Sequence, residues 1–425
     1  MESQSNKVWT VVVIGGGIVG ICSALALKER GVDVALIDPL DEHRRASFGN
    51  AGVVSCGSIL PMAGPHVPSR ALGYLSGQDP SVRIRKRSLV ANLPWARSFL
   101  AHCNSASRDH AVNHLVPLTR GAWAAHQTLA KKTRTVALLA HRGWIRLYRD
   151  SAAWNSALAE RNLLRDHGVA LTDLNAAQLR ETEPALAHRY VAGSMIDDAG
   201  AVSRPDELIR ACYRRYADLG GVILRTRCQE IALMQSAIAL LMQGSEVAAK
   251  SVVIAAGAWS GNLLRRLSGP LNIRLPLAAE RGYHQQLRQR PGALLTRPVY
   301  DTAGGFVIAP ASSAGDVRVL SGVELATPDV APNYQMLSRV VADARLALAL
   351  EPELTNEPWM GSRPSTPDGL PIIGAIQKDP RIICAFGHGH IGFSTGPLTG
   401  QIVAGLVQRE PASLDLSAFA PERFN

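Results

Sequence analysis

The stretch that decides the fold is residues 8–38, which read VWTVVVIGGGIVGICSALALKERGVDVALID. Val8 to Ile14 form a short valine-rich run that predicts a strand buried on both faces. Residues from Ile18 to Arg30 repeat apolar side chains at helical spacing. Val32 to Ile37 predict a second buried strand, which ends at Asp38. The segment therefore predicts a complete strand–helix–strand unit.

Three glycines lie between the first strand and the helix, in the pattern Gly15-x-Gly17-x-x-Gly20. Gly15 permits a tight turn, Gly17 lets the backbone approach a pyrophosphate, and Gly20 lets helix and strand pack closely. The diphosphate would lie at the helix N-terminus, where unpaired N–H groups favour anions. Asp38 is placed to accept hydrogen bonds from a ribose diol. The spacing predicts a dinucleotide-binding unit, for either NAD or FAD.

Two later segments favour FAD over NAD. One is the strand from Ser251 that leads into Gly257, and the other is the strand Arg381 to Phe386 with the glycine-rich turn and helix after it. A helix N-terminus at that turn would stabilise negative charge that develops on a flavin during reduction. Either segment alone is compatible with an ordinary strand-to-helix turn, but together they indicate FAD.

Composition excludes several other classes. A chain of 425 residues is too long for one compact core, so two or more domains are expected. No apolar run approaches the roughly 20 residues that span a bilayer, and the N-terminal residues lack the pattern of a signal peptide. We therefore expect a cytoplasmic location. The six cysteines form no C-x-x-C pair and the histidines form no H-E-x-x-H motif, so no metal site is predicted.

The net charge of +10 is mostly dispersed, but residues 83–87 (RIRKR) form a local basic cluster. A solvated loop or helix face is one explanation. Docking to an anionic membrane surface, where each basic residue contributes about 1 kcal/mol, is another. Nucleic-acid binding is not expected, because no known binding module accompanies the charge.

The rest of the chain predicts a mixed fold. Residues 83–132 look mainly helical, Pro205 to Leu219 predict a helix, and Leu275 to Leu325 alternate like an antiparallel sheet. The predicted class is α/β, with a Rossmann-like FAD-binding domain and a second α+β substrate domain that carries the antiparallel sheet. We assign residues 1–62, 191–270 and 356–425 to the FAD-binding domain. Residues 63–190 and 271–355 are assigned to the substrate domain.

Three segments carry a resemblance to a known family. They are residues 46–52 (ASFGNAG), 361–369 (GSRPSTPDG) and 387–389 (GHG). In this order along the chain they resemble the signature segments of the D-amino-acid dehydrogenase family, which is FAD-dependent and belongs to the group of glycine oxidase, sarcosine oxidase and D-amino-acid oxidase. The resemblance implies oxidative deamination of a D-amino or D-imino acid, in which the Cα hydride passes to flavin N5.

The resemblance also implies roles for individual residues. Arg363 would grip the substrate carboxylate through paired hydrogen bonds, and His390 would face the substrate. Phe306 stands where glycine oxidase has a carboxylate-binding tyrosine, which favours a larger or cyclic substrate such as a D-proline or D-hydroxyproline type. Tyr283 or Tyr300 would supply a hydroxyl instead. Further cofactor contacts are expected from Ser47, Asn50, Ala51, Gly52, Cys228 with Gln229, Gly387, His388, Gly389 and Gly392.

Several alternatives stay open at this stage. A dehydrogenase would pass electrons to a quinone or protein acceptor, whereas an oxidase would use oxygen and release hydrogen peroxide. The chain would otherwise be one subunit of a hetero-oligomeric flavoprotein. A membrane-docking or nucleic-acid-binding protein with a relict flavin fold is the remaining reading. Cys56 lies near a flavin segment, and an unreacted thiol is its simplest interpretation.

Overall fold

A computed structural model of the chain describes residues 7–42, 45–77, 79–85, 88–267, 271, 273, 275–312, 314–353 and 357–425. Within these residues the α-helices, in chain order, are α1 Ile18–Glu29, α2 Val67–Ser76, α3 Leu89–Ala101, α4 Ser105–Arg120, α5 Ala122–Thr133, α6 Ser151–Ser156, α7 Leu158–Asp166, α8 Ala176–Thr182, α9 Pro205–Asp218, α10 Ser260–Arg265, α11 Gln335–Ala347 and α12 Gly392–Val407.

The β-strands of the same residues are β1 Val8–Ile14, β2 Val34–Ile37, β3 Val53–Val54, β4 Val82–Ile84, β5 Leu139–Ala140, β6 Trp144–Tyr148, β7 Leu171–Asn175, β8 Ala192–Ile196, β9 Gly200–Val202, β10 Val222–Leu224, β11 Cys228–Leu233, β12 Ile238–Met242, β13 Ser245–Ile254, β14 Ala278–Gln289, β15 Val299–Asp301, β16 Phe306–Pro310, β17 Asp316–Leu320, β18 Val323–Leu325, β19 Leu350–Glu353, β20 Trp359–Ser365, β21 Ile372–Ile376 and β22 Asp379–Phe386.

The first sheet is parallel at its centre, in the order β10-β2-β1-β13, with β22 also parallel to β13. Its strands are apolar because both faces are covered. The sheet continues from β13 into the antiparallel strands β12 and β11. One face packs on α1, α5, α9 and α12, and the apolar side chains of β11, β12 and α10 cluster with those of the other face. Because β2 and β13 flank β1 on opposite sides, the strand order reverses there, which is where open α/β sheets bind ligands.

Close helix packing brings the end of the chain onto the first helix. An added Cβ at Gly400 of α12 would lie only 2.6 Å from the carbonyl carbon of Cys22 in α1, and one at Gly396 would lie 2.9 Å from Ile18. The two glycines therefore allow the two helices to approach at backbone distance. The result is that the turn before α12 lies beside the turn before α1.

The second sheet is largely antiparallel, in the order β4-β18-β14-β17-β16-β15-β6-β8-β7, with β19 and β20 also paired to β14. Helix α11 packs on one of its faces in a separate apolar core. A small third sheet consists of β3, β9 and β5, which pair antiparallel. Two sheets with helices on a Rossmann-like parallel core confirm the predicted α/β class.

The sheet pairing differs from the predicted domain ranges at two strands. Strand β8 pairs with β6 and strand β20 pairs with β14, so both belong to the second sheet. The sequence assigned both to the FAD-binding domain, because their neighbours along the chain belong there. We therefore propose that the substrate domain includes residues 192–196 and 359–365.

Candidate active site

A cavity of about 520 Å³ opens at the carboxyl ends of the central parallel strands. Its walls include residues within two positions of the ends of β1, β2, β10, β13 and β22, and three residues of β20 from the second sheet. The predicted site residues that line it are Gly15, Gly17, Asp38, Ser47, Asn50, Cys228, Gly257, Arg363, His388, Gly389 and Gly392. The predicted residues that do not are Gly20, Ala51, Gly52, Tyr283, Gly387 and His390.

The glycine turn after β1 has no space for a side chain at three of its four glycines, Gly15, Gly16 and Gly20. Gly15 adopts a φ of +100°, and an added Cβ would lie 2.5 Å from the carbonyl oxygen of Ala255. A Cβ on Gly20 would lie 1.8 Å from the oxygen of Gly15. Gly16, which the sequence pattern left unassigned, is also constrained, since its Cβ would lie 1.7 Å from the hydroxyl of Tyr213. Only Gly17 faces open space, with Ser47 Oγ at 3.6 Å.

The N-terminus of α1 lines the cavity with Gly17, Ile18 and Val19. Gly17 is the N-cap and its position provides no side-chain cap, and no acidic residue lies in the first turn. Ser47 Oγ accepts a hydrogen bond from Ile18 N at 3.1 Å, which places the serine beside this terminus. A helix N-terminus whose N-cap residue has no side chain, and which lines a cavity, favours the binding of an anion.

Asp38, which follows β2, already forms hydrogen bonds within the chain. Asp38 Oδ2 accepts a hydrogen bond from Gly16 N at 2.6 Å, and its Oδ1 contacts the Arg45 guanidinium. Arg45 also lies over the ring of Tyr213, 4.9 Å from its centroid. Sequence reasoning missed Arg45, because its relation to Asp38 depends on how a loop folds back over the cavity.

The turn after β22 is formed by a buried, neutral histidine. Gly387 has a φ of +81° and Gly389 a φ of +50°, so the chain reverses sharply around His388. His388 Nε2 lies 3.1 Å from Thr399 Oγ1. Burial lowers the pKa of His388 to about 3, so the ring is uncharged at neutral pH. Gly392, the first residue of α12, also lines the cavity and brings a second helix N-terminus there.

Arg363 enters the cavity from β20. Its guanidinium lies against Gly282 of β14, where an added Cβ would be 2.4 Å from Nη2, so only glycine leaves it room. Within the described residues its Nη1 is buried and has no hydrogen-bond partner. Burial lowers the pKa of Arg363, and the charge of Glu280 raises it by a smaller amount. A buried, unpaired guanidinium nitrogen beside a cavity is prepared for an anion from outside the chain.

Glu280 is the main residue of this face that the sequence did not reveal. It is the cross-strand partner of Arg363 in the β14–β20 ladder, and only 1% of it is exposed. His390 Nε2 lies 3.0 Å from its Oε2 and 2.8 Å from the sulfur of Met62. Burial would raise the pKa of Glu280, but His390, Ser365 and Arg363 hold it below its usual value. Glu280 therefore carries a negative charge between the cavity arginine and the more exposed histidine.

Tyr283 lies on the opposite face of β14 from Glu280 and Gly282, since side chains alternate along a strand. It is 1% exposed, and its hydroxyl contacts Glu324, which Arg281 also binds at 2.7 Å. Burial and the Glu324 hydrogen bond raise the pKa of Tyr283 to about 12. The structure therefore separates Tyr283 from the cavity, and it has no place in our account of catalysis.

Phe306 likewise packs in the core of the second sheet and is 1% exposed. It does not line the cavity, so it is not the apolar substrate wall that the sequence suggested. Tyr300 does not line the cavity either and packs near Trp144. The sequence could not reveal this, because alternation fixes which residues share a face but not which face meets the cofactor.

The remaining predicted cofactor contacts lie in or next to the cavity wall. Gly52 has a φ of +77°, and its N–H donates to Asn50 Oδ1 at 2.8 Å, so it shapes the loop that presents Asn50. Ala51 lies within the same loop. Cys228 lines the cavity beside Gln229, and burial raises its thiol pKa to about 12. Burial also raises the pKa of the Cys56 thiol, which remains protonated.

Among the described residues, no group of histidine, cysteine and acidic side chains is arranged to hold a metal ion. Nor does any described helix have the length and apolarity needed to cross a membrane.

The residues present fit FAD. We call the turn of Gly15, Gly16, Gly17 and Gly20 the cradle around Gly15; it has no room for a side chain at Gly15, Gly16 or Gly20. The N-cap of α1 carries no side chain that would compete with a diphosphate, and Asp38 follows the neighbouring strand β2. Cys228 and Gln229 extend the cavity at one end, and Gly257 and His388 line it further along. The fold and this cradle define the class of the protein: a dinucleotide-binding oxidoreductase with a second sheet over its cofactor cleft.

Comparison with known families agrees. The profile of the family described as DAO, FAD dependent oxidoreductase, matches residues 10–406. The chain therefore belongs to this family, and it is an FAD-dependent oxidoreductase. The match covers both sheets and all three segments that carried the resemblance.

Two curated relatives are similar over nearly their whole length. A D-amino-acid oxidase of Bradyrhizobium diazoefficiens is 30% identical over 423 residues, which is 97% of this chain and 98% of the relative. A protein named D-amino acid dehydrogenase 2 from Ralstonia nicotianae is 28% identical, over 97% of this chain and 100% of the relative.

Among solved structures, glycine oxidase from Geobacillus kaustophilus superimposes with a TM-score of 0.77. The alignment covers 98% of each chain at 24% sequence identity. At this identity the likeness shows a shared fold, in agreement with the two-sheet architecture.

Proposed function

We propose that this protein oxidises a D-amino or D-imino acid at its α-carbon, giving an imino product that water hydrolyses. The observation that carries the proposal is Arg363, whose buried guanidinium opens into the same cavity as the glycine cradle. The two curated relatives support the D configuration, since both are named for D-amino acids. Cyclic imino acids such as D-proline or D-hydroxyproline belong to the same class.

Arg363 would bind the substrate carboxylate through two parallel charge-assisted hydrogen bonds. Gly282 leaves the guanidinium in place against bare backbone, and Glu280 across the ladder balances part of its charge. The carboxylate is thereby fixed before any chemistry occurs, which lowers the entropic cost of reaction. Arg363 thus selects α-amino acids over simple amines.

Bound FAD supplies the acceptor for the hydride that leaves the α-carbon. The residues that would hold it are Gly15, Gly17, Ser47, Asp38 and the turn around His388. With a pKa near 3, His388 is neutral at physiological pH and holds the turn through Thr399 rather than acting as an acid. The substrate amine must be unprotonated to push out a hydride, so no strong base is required of the chain.

The electron acceptor separates two versions of this function. In the first, which the dehydrogenase name of the 28% identical relative favours, the electrons pass to a quinone or another acceptor. The second is an oxidase that reduces oxygen to hydrogen peroxide, and it is favoured by the name of the 30% identical relative. A third arrangement, in which the chain works only with partner subunits, would appear as a flavoprotein that no amino acid reduces.

Turnover assays test this proposal. Purified protein would be supplied anaerobically with a redox dye and with matched D and L forms of alanine, proline and other amino acids. We expect dye reduction with D forms only, and little peroxide when air replaces the dye. Equal rates with L forms would refute the stereochemistry, while peroxide at the rate of dye reduction would assign the oxidase.

A further inference from the structure

Residues 46–52 form part of the cavity wall, through Ala46, Ser47 and Asn50. We call residues 46–52 the cavity loop, which lies between β2 and β3. It contains neither a helix nor a strand, so no regular ladder of backbone hydrogen bonds fixes it. Ser47 binds one side of the loop to α1. The carbonyl oxygens of Gly49 and Asn50 take their partners from another part of the molecule.

Two side chains of the second sheet bind these carbonyl oxygens. His284 Nδ1 of β14 donates to Gly49 O at 3.0 Å, and Arg318 Nη1 of β17 donates to Asn50 O at 3.3 Å. Burial lowers the pKa of His284 to about 3, so it binds as a neutral ring. Arg318 lies opposite Gln286 in the β14–β17 ladder and therefore shares a face with His284. The second sheet thus holds the cavity loop, although neither strand that flanks the loop belongs to that sheet.

A third side chain of the second sheet packs on the cavity loop. The ring of Trp359 in β20 stacks on His284, with the ring centroids 5.0 Å apart. An added Cβ on Gly49 would lie 2.2 Å from the Trp359 ring, so the backbone of the loop packs directly against it. Trp359 precedes Arg363 by four residues on the same strand. The strand that carries the cavity arginine therefore also contacts the cavity loop.

Arg318 is a buried arginine, which costs stability unless its charge and its N–H groups are bound. It is 1% exposed, and burial lowers its pKa to about 10, so the guanidinium stays positive at pH 7. Asp206 Oδ1, at the start of α9, lies 3.6 Å from its Nη2, which is too long for a hydrogen bond. Asp206 also binds Arg204 and Arg210, each at 3.0 Å. Three arginines therefore share one carboxylate, and Arg318 gives its hydrogen bond to the cavity loop.

We propose that Arg318 is a positioning residue for the cofactor, because it holds the cavity loop in the place where Ser47 and Asn50 line the FAD cavity. Arg318 does not line the cavity itself, so it acts through the loop. Since Arg318 and Arg363 belong to the same sheet, that sheet positions both the cofactor loop and the cavity arginine. The inference concerns FAD, on which the family depends, and it stands whatever substrate the cavity binds.

Release of FAD from the purified holoprotein tests the proposal without any substrate. The protein is diluted, and the fluorescence of free flavin gives the dissociation constant of FAD. Arg318→Met should raise this constant about tenfold, because a hydrogen bond from a charged group to the loop is lost. Arg318→Lys keeps the charge but not the planar guanidinium, so it should raise the constant about threefold.

Arg161→Met is the matched control. Arg161 is 3% exposed, donates to the carbonyl oxygen of Trp154 at 2.7 Å and lies 3.5 Å from Asp173, so its surroundings resemble those of Arg318. It belongs to α7, which does not line the cavity. Both methionine variants should have a lower melting temperature than the unmodified protein. The dissociation constant of FAD should rise in Arg318→Met and stay unchanged in Arg161→Met.

Gly49→Ala disturbs the same contact from the side of the loop. The added methyl group would meet the Trp359 ring, so this variant should also bind FAD more weakly. Gly73→Ala is its control, since nothing lies within 4 Å of an added Cβ there. Because both changes act through one loop, the double variant Arg318→Met/Gly49→Ala should raise the dissociation constant of FAD by less than the product of the two single effects.

Two results would overturn the proposal. The first is an Arg318→Met protein that melts at a lower temperature but binds FAD as tightly as the unmodified protein, which would make Arg318 purely structural. Should the methionine variant not fold, the same result in Arg318→Lys decides. The second is an equal rise of the dissociation constant in Arg161→Met, which would attribute the release of FAD to lost stability alone.

Discussion

The cradle around Gly15 and the β14–β20 face around Arg363 both line one cavity, but they are built differently. The glycines of the cradle are neighbours in sequence, and a side chain at Gly15 or Gly20 would collide with backbone. The arginine face depends on the register of strands about eighty residues apart, in which Glu280 pairs with Arg363. The first wall is thus a local motif, and the second is a product of tertiary pairing.

The cradle therefore binds the cofactor, whereas the arginine face selects the substrate. Backbone N–H groups and a helix terminus bind a diphosphate regardless of the chemical groups that the rest of the cofactor carries. A single guanidinium with a buried carboxylate beside it recognises one part of a small substrate. Changes to the cradle should therefore remove the cofactor, and changes to the arginine face should alter turnover in a protein that remains yellow.

The largest effect is expected for Gly15→Ala. The added methyl group would collide with Ala255 O at a φ that alanine avoids, so we expect loss of bound FAD and a lower melting temperature. Gly244→Ala is the matched control, since Gly244 has a φ of +75° and nothing within 4 Å of an added Cβ. Flavin absorbance per protein measures the outcome. A fully loaded Gly15→Ala protein would show that the cradle is less strict than described.

Arg363→Met should leave the flavin in place and lower kcat/KM by roughly a hundredfold to a thousandfold, because a charge-assisted carboxylate contact disappears. Arg363→Lys should recover part of the loss. Arg288→Met, which removes a half-exposed arginine paired with Asp316, is the control and should have little effect. Steady-state kinetics decide the matter, and unchanged kinetics in Arg363→Met would place the substrate elsewhere.

Glu280→Gln and His390→Gln should each lower kcat/KM by about tenfold, since the contact between the two side chains lies next to Arg363. The double variant should be no slower than the slower single variant. The exposed Glu246→Gln provides the control. If the two effects multiply instead, the residues act independently and the contact between Glu280 and His390 is incidental.

The smallest kinetic effect is expected for Tyr283→Phe. Its hydroxyl contacts Glu324 in the core, so its loss should reduce the free energy of unfolding by about 1–2 kcal/mol while kcat/KM stays within about twofold. Chemical denaturation and initial rates would measure the two quantities. A large loss of turnover with no loss of stability would return Tyr283 to the active site.

The sequence predicts the cradle well because its signals are local. Strand Val8–Ile14 and the helix that begins at Ile18 have the predicted boundaries within a residue, and Asp38 ends β2 as expected. Arg363 was found only through a resemblance, since nothing in its spacing identifies a substrate group. The pattern of the second sheet likewise gave its alternation but not its orientation toward the cavity.

Glu280 and Arg45 show why the rest could not be predicted. Glu280 becomes significant only when β14 pairs with β20, and Arg45 only when its loop folds over Asp38. Tyr283 and Phe306 were plausible from residue type, but strand alternation and sheet packing place both in the core. The register between distant strands and the closure of a loop arise only in the folded chain. They leave no local pattern in the sequence from which they could be predicted.

The central claim is that a D-amino or D-imino acid reduces an FAD held by this chain, and an anaerobic titration tests it directly. The purified protein would be placed in an oxygen-free cuvette, its visible spectrum recorded, and D and L forms of each amino acid added in turn. The account predicts a flavin band that D-amino acids or D-hydroxyproline bleach and L forms do not. A colourless protein, or a flavin band bleached by L forms alone, would contradict it.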